Sequence, residues 1–211
     1  MDLVRENAAA TDREPRTERG RKTLRKLIDA AASEFGERGY HDAAITGITQ
    51  RAGVALGSFY TYFESKEEVF RALVREMSRA TRAHVAEAVQ DAPDRLAAER
   101  LGLEAFITFV RGRPELYRII EESQFVAEDA YREHYRSFAD AYRRGLAAAR
   151  QRYEIAGGTG DSEETDEALA WALIGVSVFL GMRYGVWDRS LPPARVADIA
   201  ANLISEGLRR R

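Results

Sequence analysis

A chain of 211 residues, 45% hydrophobic and 31% charged, has the composition of a soluble globular protein with a substantial core: one large domain, or a small module fused to a larger one. It holds no cysteine, which excludes disulfide frameworks, thiolate metal sites and cysteine nucleophiles. The net charge of -2 argues alone against nucleic acid, but the basic residues are unevenly spread: Arg13, Arg16, Arg19, Arg21, Lys22, Arg25 and Lys26 face only Glu14 and Glu18 in one short stretch.

Residues 1–20 contain Pro15 and Gly20 and no apolar periodicity, so a disordered basic arm is expected there. The first 26 residues are polar and basic, without the apolar core of a signal peptide, and a cytoplasmic location is expected. Leu24, Leu27, Ile28, Ala31 and Phe35 then form one apolar stripe of a helix, which Gly39 is expected to end as a left-handed cap. Ile45, Ile48 and Ala52 mark a short amphipathic helix closed by Gly53, and a second short helix over 56–62 follows after a tight turn. Ser65 and Glu68 form a capping box that opens a longer helix carrying Val69, Phe70, Leu73 and Met77 and running to about residue 88. Three helices in so short a span, the last two joined by a glycine-containing turn, are the helix-turn-helix layout.

Beyond residue 80, Pro93 and Pro114 each sit where a new helix starts. Leu96, Leu101, Ala105, Phe106, Phe109 and Val110 mark the helix between them, and Tyr131, Tyr135, Phe138, Tyr142, Leu146 and Tyr153 one face of a long helix. A flexible loop is expected over 157–162, then an apolar helix over 163–187 and, after Pro192-Pro193, a last helix with Val196, Ile199, Ala200, Leu203 and Leu208. The longest uncharged run, over 168–182, falls short of the roughly 18–20 residues that cross a bilayer, so a buried helix and no membrane partner are expected. No strand alternation is visible. The fold class is all-α: an N-terminal helix-turn-helix domain over 21–67 and a larger helical ligand-binding and dimerisation domain over 68–211.

The string over 44–70, AITGITQRAGVALGSFYTYFESKEEVF, carries a family pattern: Gly39-Tyr40 ahead of the motif, Ile45, Ile48, Ala52-Gly53-Val54, Gly57-Ser58-Phe59-Tyr60, Tyr62-Phe63 and Ser65-Lys66-Glu67. It resembles the TetR family of bacterial repressors, sharply over about 22–75 and loosely beyond. Two positions depart from the family: Ala44 and Ala55 stand where Thr or Ser usually caps a motif helix, a loss of typically about 1 kcal/mol each; Thr46 is a partial substitute. On residue chemistry, Phe59 and Phe63, four apart, anchor the reading helix inward, leaving Leu56, Gly57, Ser58, Tyr60, Thr61 and Tyr62 toward DNA. Gly57 permits close backbone approach, and Leu56 and Thr61 suit base edges. Ser58, Tyr60, Tyr62 and Lys66 suit phosphates, roles the resemblance also implies, and Lys22 and Arg25 of the basic stretch join the expected DNA contacts. The resemblance implies repression from double-stranded DNA, and one short reading helix implies a homodimer on a palindromic operator.

The C-terminal aromatics suggest a pocket for a small apolar ligand. Phe106, Phe109, Tyr117, Phe138, Tyr142, Trp171 and Phe179 are its expected apolar lining, and Glu121, Gln124 and Arg183 its polar groups. The apolar helix over 163–187 and the last helix are expected to pair across a two-fold axis through Gly175, Gly181, Val196, Ile199 and Leu203. His41, His84 and His134 lie far apart, so no metal is expected; no cofactor fingerprint or catalytic motif is present, so no cofactor and no enzyme activity are expected. The alternatives are a DNA-binding regulator without an inducer, acting by occupancy or through a protein partner, and, remotely, a helical-bundle enzyme.

Overall fold

The computed structural model describes residues 15–152, 154–155 and 162–206, and no strand occurs among them. The expectations for the arm as far as residue 14, for Tyr153, for the loop over 157–161 and for Leu208 lie outside the described residues.

Helix α1 spans Glu18–Asp42. It begins inside the segment expected to be disordered, because the Thr17 hydroxyl accepts from the Gly20 N–H at 3.1 Å and so satisfies one donor of the first turn. Gly39 does not end it: with φ at +77° this residue kinks the helix, which resumes to Asp42. Helices α2 (Ile45–Ala52) and α3 (Leu56–Tyr62) follow, separated by left-handed Gly53. Neither Ala44 nor Ala55 supplies a side-chain cap. Helix α4 (Lys66–Val89) opens on the expected box in altered form: the Ser65 hydroxyl accepts from the Glu68 N–H at 3.1 Å, while the Glu68 carboxylate reaches the Glu64 N–H at 2.5 Å. The remaining helices are α5 (Arg95–Gly112), α6 (Glu115–Val126), α7 (Glu128–Gln151), α8 (Ser162–Gly181) and α9 (Pro193–Glu206). Asp94 caps α5, so Pro93 lies one residue ahead of the cap rather than within the first turn. Between α8 and α9 the chain makes a π-helical turn, Met182–Trp187.

The chain forms two compact units, Met1–Glu76 with Glu115–Tyr131, and Met77–Pro114 with Arg132–Arg211. They do not follow the boundary expected at residue 67, since 68–76 and 115–131 belong with the helix-turn-helix. In the first unit Leu27, Phe35, Ile48, Phe59, Val69 and Phe70 are fully buried, each worth roughly 1.5–3 kcal/mol of apolar transfer. Phe35 and Phe70 meet edge to face with centroids 4.9 Å apart. Helix α6 joins this unit by gripping the kink of α1. Arg118 donates to the Gly36 and Glu37 carbonyls at 3.2 and 3.1 Å, and Glu122 accepts from the Tyr40 N–H at 2.7 Å.

In the second unit Leu103, Ile107, Val196, Ala197 and Ala200 form one core cluster, and Ala139, Ala170 and Ile174 another. Asp166 and Arg150 form a two-point ion pair at 2.5 and 2.7 Å that ties α8 to α7. Arg111 donates to the Tyr184 carbonyl of the π turn at 2.9 Å and to the Leu191 carbonyl of the loop before α9 at 2.6 Å. The segment Glu163–Trp187 has the length and apolarity of a membrane-crossing helix, yet its first turns carry Glu163, Glu164, Asp166 and Glu167. Only 22% of its apolar stretch is buried within the chain, so the expected buried helix is instead open along one side.

Candidate functional site

Helix α3 is held from within by Phe59 and Phe63, whose ring centroids lie 5.5 Å apart and which are at most 4% exposed. The i, i+4 spacing of those anchors turns the intervening residues outward. Leu56, Gly57, Tyr60 and Thr61 are exposed, and Ser58 and Tyr62 half-buried. A side chain at Gly57 would meet nothing within 4 Å, so its backbone lies open to a close approach. The Thr61 hydroxyl makes only a long bond, 3.4 Å, to the Gly57 carbonyl and is free to turn outward. Lys22, Arg25 and Thr46 are also exposed.

Lys66 departs from the expected phosphate role. Its ammonium donates to the carbonyls of Tyr40, His41 and Ala43 at 2.7, 3.1 and 3.0 Å, and it sits 4.5 Å from the centre of the Tyr40 ring. Its three donors are thereby used on the end of α1, locking the start of α4 to it. A second lock lies beneath α2. Glu34, 2% exposed, accepts from Arg51 Nε at 2.7 Å and pairs with Arg38 at 3.2 Å. Gly47 packs so closely on the Glu34 carboxylate that any side chain there would displace it.

The second unit holds a half-open cavity of about 320 Å³. Helix α4 gives it Arg82, Val85, Ala86 and Val89; α5 gives Arg95, Ala98, Glu99, Gly102 and Phe106. Helix α7 adds His134, Tyr135, Phe138, Ala141, Tyr142 and Gly145, and α8 adds Ile174, Ser177 and Val178. The lining is apolar with a few buried polar groups, the usual character of a small-molecule site. Arg95 is hydrogen-bonded to Glu99, whose carboxyl burial pushes up while the Arg95 charge pulls it back. The Tyr142 hydroxyl lies 3.3 Å from Ser177 Oγ, and burial pushes its pKa up to about 12. Burial also lowers the His134 imidazole to about 4, aided by the charge of Arg82, so that the ring is neutral at pH 7. Its Nδ1 is buried without a hydrogen-bond partner.

Of the expected pocket residues, only Phe106, Phe138 and Tyr142 line this cavity. Tyr117, Glu121 and Gln124 lie on α6 in the first unit. Phe109 is turned away against His84 and Arg113. Arg183 is ion-paired with Asp188 at 3.0 Å. Trp171 is 42% exposed, its indole N–H bonded to Glu167 at 2.7 Å, and Phe179 is 67% exposed. The polar groups that do line the cavity gave no local signal: Arg95 and Glu99 read as an ordinary surface pair at i, i+4, and His134 as a lone histidine.

The expected dimer residues also divide. Val196 is 2% exposed within the α5–α9 core and Gly181 is buried, so neither is available to a partner. Ile199 and Leu203 are 51% and 46% exposed, and a side chain at half-buried Gly175 would meet nothing within 4 Å. Together with exposed Ala168, Ala172 and Phe179 they leave apolar stripes on α8 and α9.

Residues 27–73 match the family model described as bacterial regulatory proteins, tetR family. The chain is 41% identical over 64 residues to the uncharacterised HTH-type regulator YdgC of Bacillus subtilis, covering 30% of this chain and 33% of that one. It is 33% identical over 103 residues to the HTH-type transcriptional activator FasR of Mycolicibacterium smegmatis, covering 49% and 47%. The chain thus spans a third to a half of the length of these curated relatives. Among solved structures it resembles the regulator FadR of Bacillus subtilis in complex with stearoyl-CoA, with TM-score 0.72 and 19% identity over 88% of this chain and 99% of the other. It also resembles AibR in complex with isovaleryl coenzyme A and operator DNA, with TM-score 0.65 and 16% identity over 86% and 97%. The helix-turn-helix over residues 27–73 thus matches that of the tetR family of bacterial regulatory proteins, and the all-helical fold is shared with these solved structures.

Proposed function

We propose that this protein is a cytoplasmic DNA-binding transcriptional regulator: a homodimer that represses from a palindromic operator and is released when a small, mainly apolar molecule fills the cavity of its second unit. The observation that carries the DNA reading is α3 itself, a helix anchored by two buried phenylalanines with Leu56, Gly57, Tyr60 and Thr61 outward. Such a helix reads three or four bases, too few to define a site, so recognition needs a second copy roughly 34–36 Å away, or slightly more, in a successive major groove. The open stripes of α8 and α9 suit that pairing. The mainly apolar cavity favours ligand control over action by occupancy alone, and two structural neighbours are described with acyl-coenzyme A ligands.

The test is selection from random duplexes followed by binding of Thr61 variants. Thr61→Ala and Thr61→Asn should change which bases are preferred, by about 1–3 kcal/mol at one position of each half-site. A uniform loss of affinity with unchanged preference would move Thr61 to the phosphate contacts and weaken the assignment of α3 as the reading helix.

A further inference from the structure

The cavity holds two guanidinium groups, and they differ in how their charge is met. Arg95 is matched within the chain: its side chain bonds to Glu99, and its backbone N–H donates to Glu154 at 2.8 Å. Arg82 is not. Its Nη1 donates to the hydroxyls of Ser78, at 2.8 Å, and Ser137, both neutral acceptors, and among the described residues no carboxylate accepts from it. Glu133 acts on it only at a distance and is opposed by Arg79 and Arg144, and burial adds a penalty that lowers its pKa. A guanidinium remains protonated under any such load, so the positive charge stays. Arg82 is half-buried, so water meets part of its charge, and on the cavity side a bound anion would supply the counter-charge that the chain does not.

A second observation lies at the same end. The ring of His134 lines the cavity beside Phe138 and Arg82, buried and with Nδ1 unpartnered. A neutral imidazole adds a hydrogen-bonding group without a second positive charge. One unmatched cation and one neutral ring suit a single negative charge; a doubly charged phosphate would remain undercompensated, and an amide, ester or thioester would leave Arg82 unmatched. The rest of the lining, Phe106, Phe138, Ile174 and Val178 among it, offers apolar surface.

We propose that the Arg82 end of the cavity seats the carboxylate of an amphipathic monocarboxylic acid, whose apolar body lies along Phe106, Phe138 and Val178. At about 30 Å³ per water the cavity holds on the order of ten waters, which suits an acid of roughly a dozen non-hydrogen atoms. The proposal rests on the reading of this cavity as a ligand site.

Calorimetric titration of the full-length protein with decanoate, decanamide and decan-1-ol separates the two. Decanoate should bind at least about tenfold more tightly than decanamide. Arg82→Gln should abolish that preference and leave decanamide within about twofold of wild type, whereas Arg82→Lys and Arg79→Gln should keep it. The comparison of acid with amide in wild type decides the matter even where Arg82→Gln folds poorly. Equal binding of acid and amide, or binding of the amide and alcohol alone, overturns the carboxylate seat and leaves the ligand cavity standing. Failure of all three to bind at millimolar concentration overturns both.

Discussion

Lys66 and Thr61 stand five residues apart and illustrate what a side chain's chemistry can and cannot reveal in isolation. The outward set on α3 was legible, because anchors four apart fix the face of a short helix. Lys66 was not, since its three carbonyl partners lie 23 to 26 residues earlier in the chain. Lys66→Ala should therefore destabilise the head by about 2 kcal/mol, as loss of charge-assisted hydrogen bonds does, in a urea melt. The slope of DNA affinity against salt should stay near that of wild type, because no phosphate contact is lost. His134 gives a pH dependence of stability. The unfolded chain protonates it below its ordinary 6.5, the folded protein only below about 4. Between those values the folded state binds fewer protons, so its contribution is complete above pH 6.5 and is lost as pH falls through the window. By pH 5 the loss from this one group is about 2 kcal/mol. Glu99, whose carboxyl burial raises, titrates in the opposite sense, so the measurement is the difference between wild type and His134→Gln melts from pH 7 to 5; parallel curves would contradict it.

At the scale of elements, the helices themselves were legible from apolar period and punctuation, and most boundaries fell close to expectation. What each face of α8 does was not, because a helix apolar nearly all round gives no preferred side. Trp171 and Phe179 were therefore expected in a pocket and instead lie exposed; on α9, Val196 was expected at a partner and instead sits in the core. The two faces predict different failures. Leu203→Arg and Phe179→Arg should yield folded monomers in sedimentation, with the helical circular dichroism of wild type. Val196→Arg should unfold the second unit, a loss of more than about 4 kcal/mol, since it buries an unpaired charge. A folded, dimeric Val196→Arg, or a monomeric wild type at micromolar concentration, would contradict this assignment of faces.

For the whole molecule, the all-α class was legible from apolar period along the chain, and the likeness to tetR regulators from the string over 44–70 with Gly39-Tyr40 ahead of it, whereas the division into units was not. Helix α6 belongs with the head because Arg118 and Glu122 hold backbone groups some 80 residues earlier, a pairing that no local pattern announces. Helix α4 is one unbroken helix whose first turns supply Val69, Phe70 and Val74 to the core of the head and whose last turns line the cavity. Coupling through this helix would need α4 to take two arrangements that ligand and DNA each bias. By linkage, whatever factor the ligand removes from DNA affinity, DNA removes from ligand affinity, typically about 5–150-fold for about 1–3 kcal/mol. The most direct test is a DNA titration on a selected operator, with the protein free and with its cavity saturated by decanoate. Ligand-controlled release predicts weaker operator binding by a factor in that range, and the same factor in decanoate affinity when operator is bound; superimposable DNA titrations with the cavity occupied would contradict it.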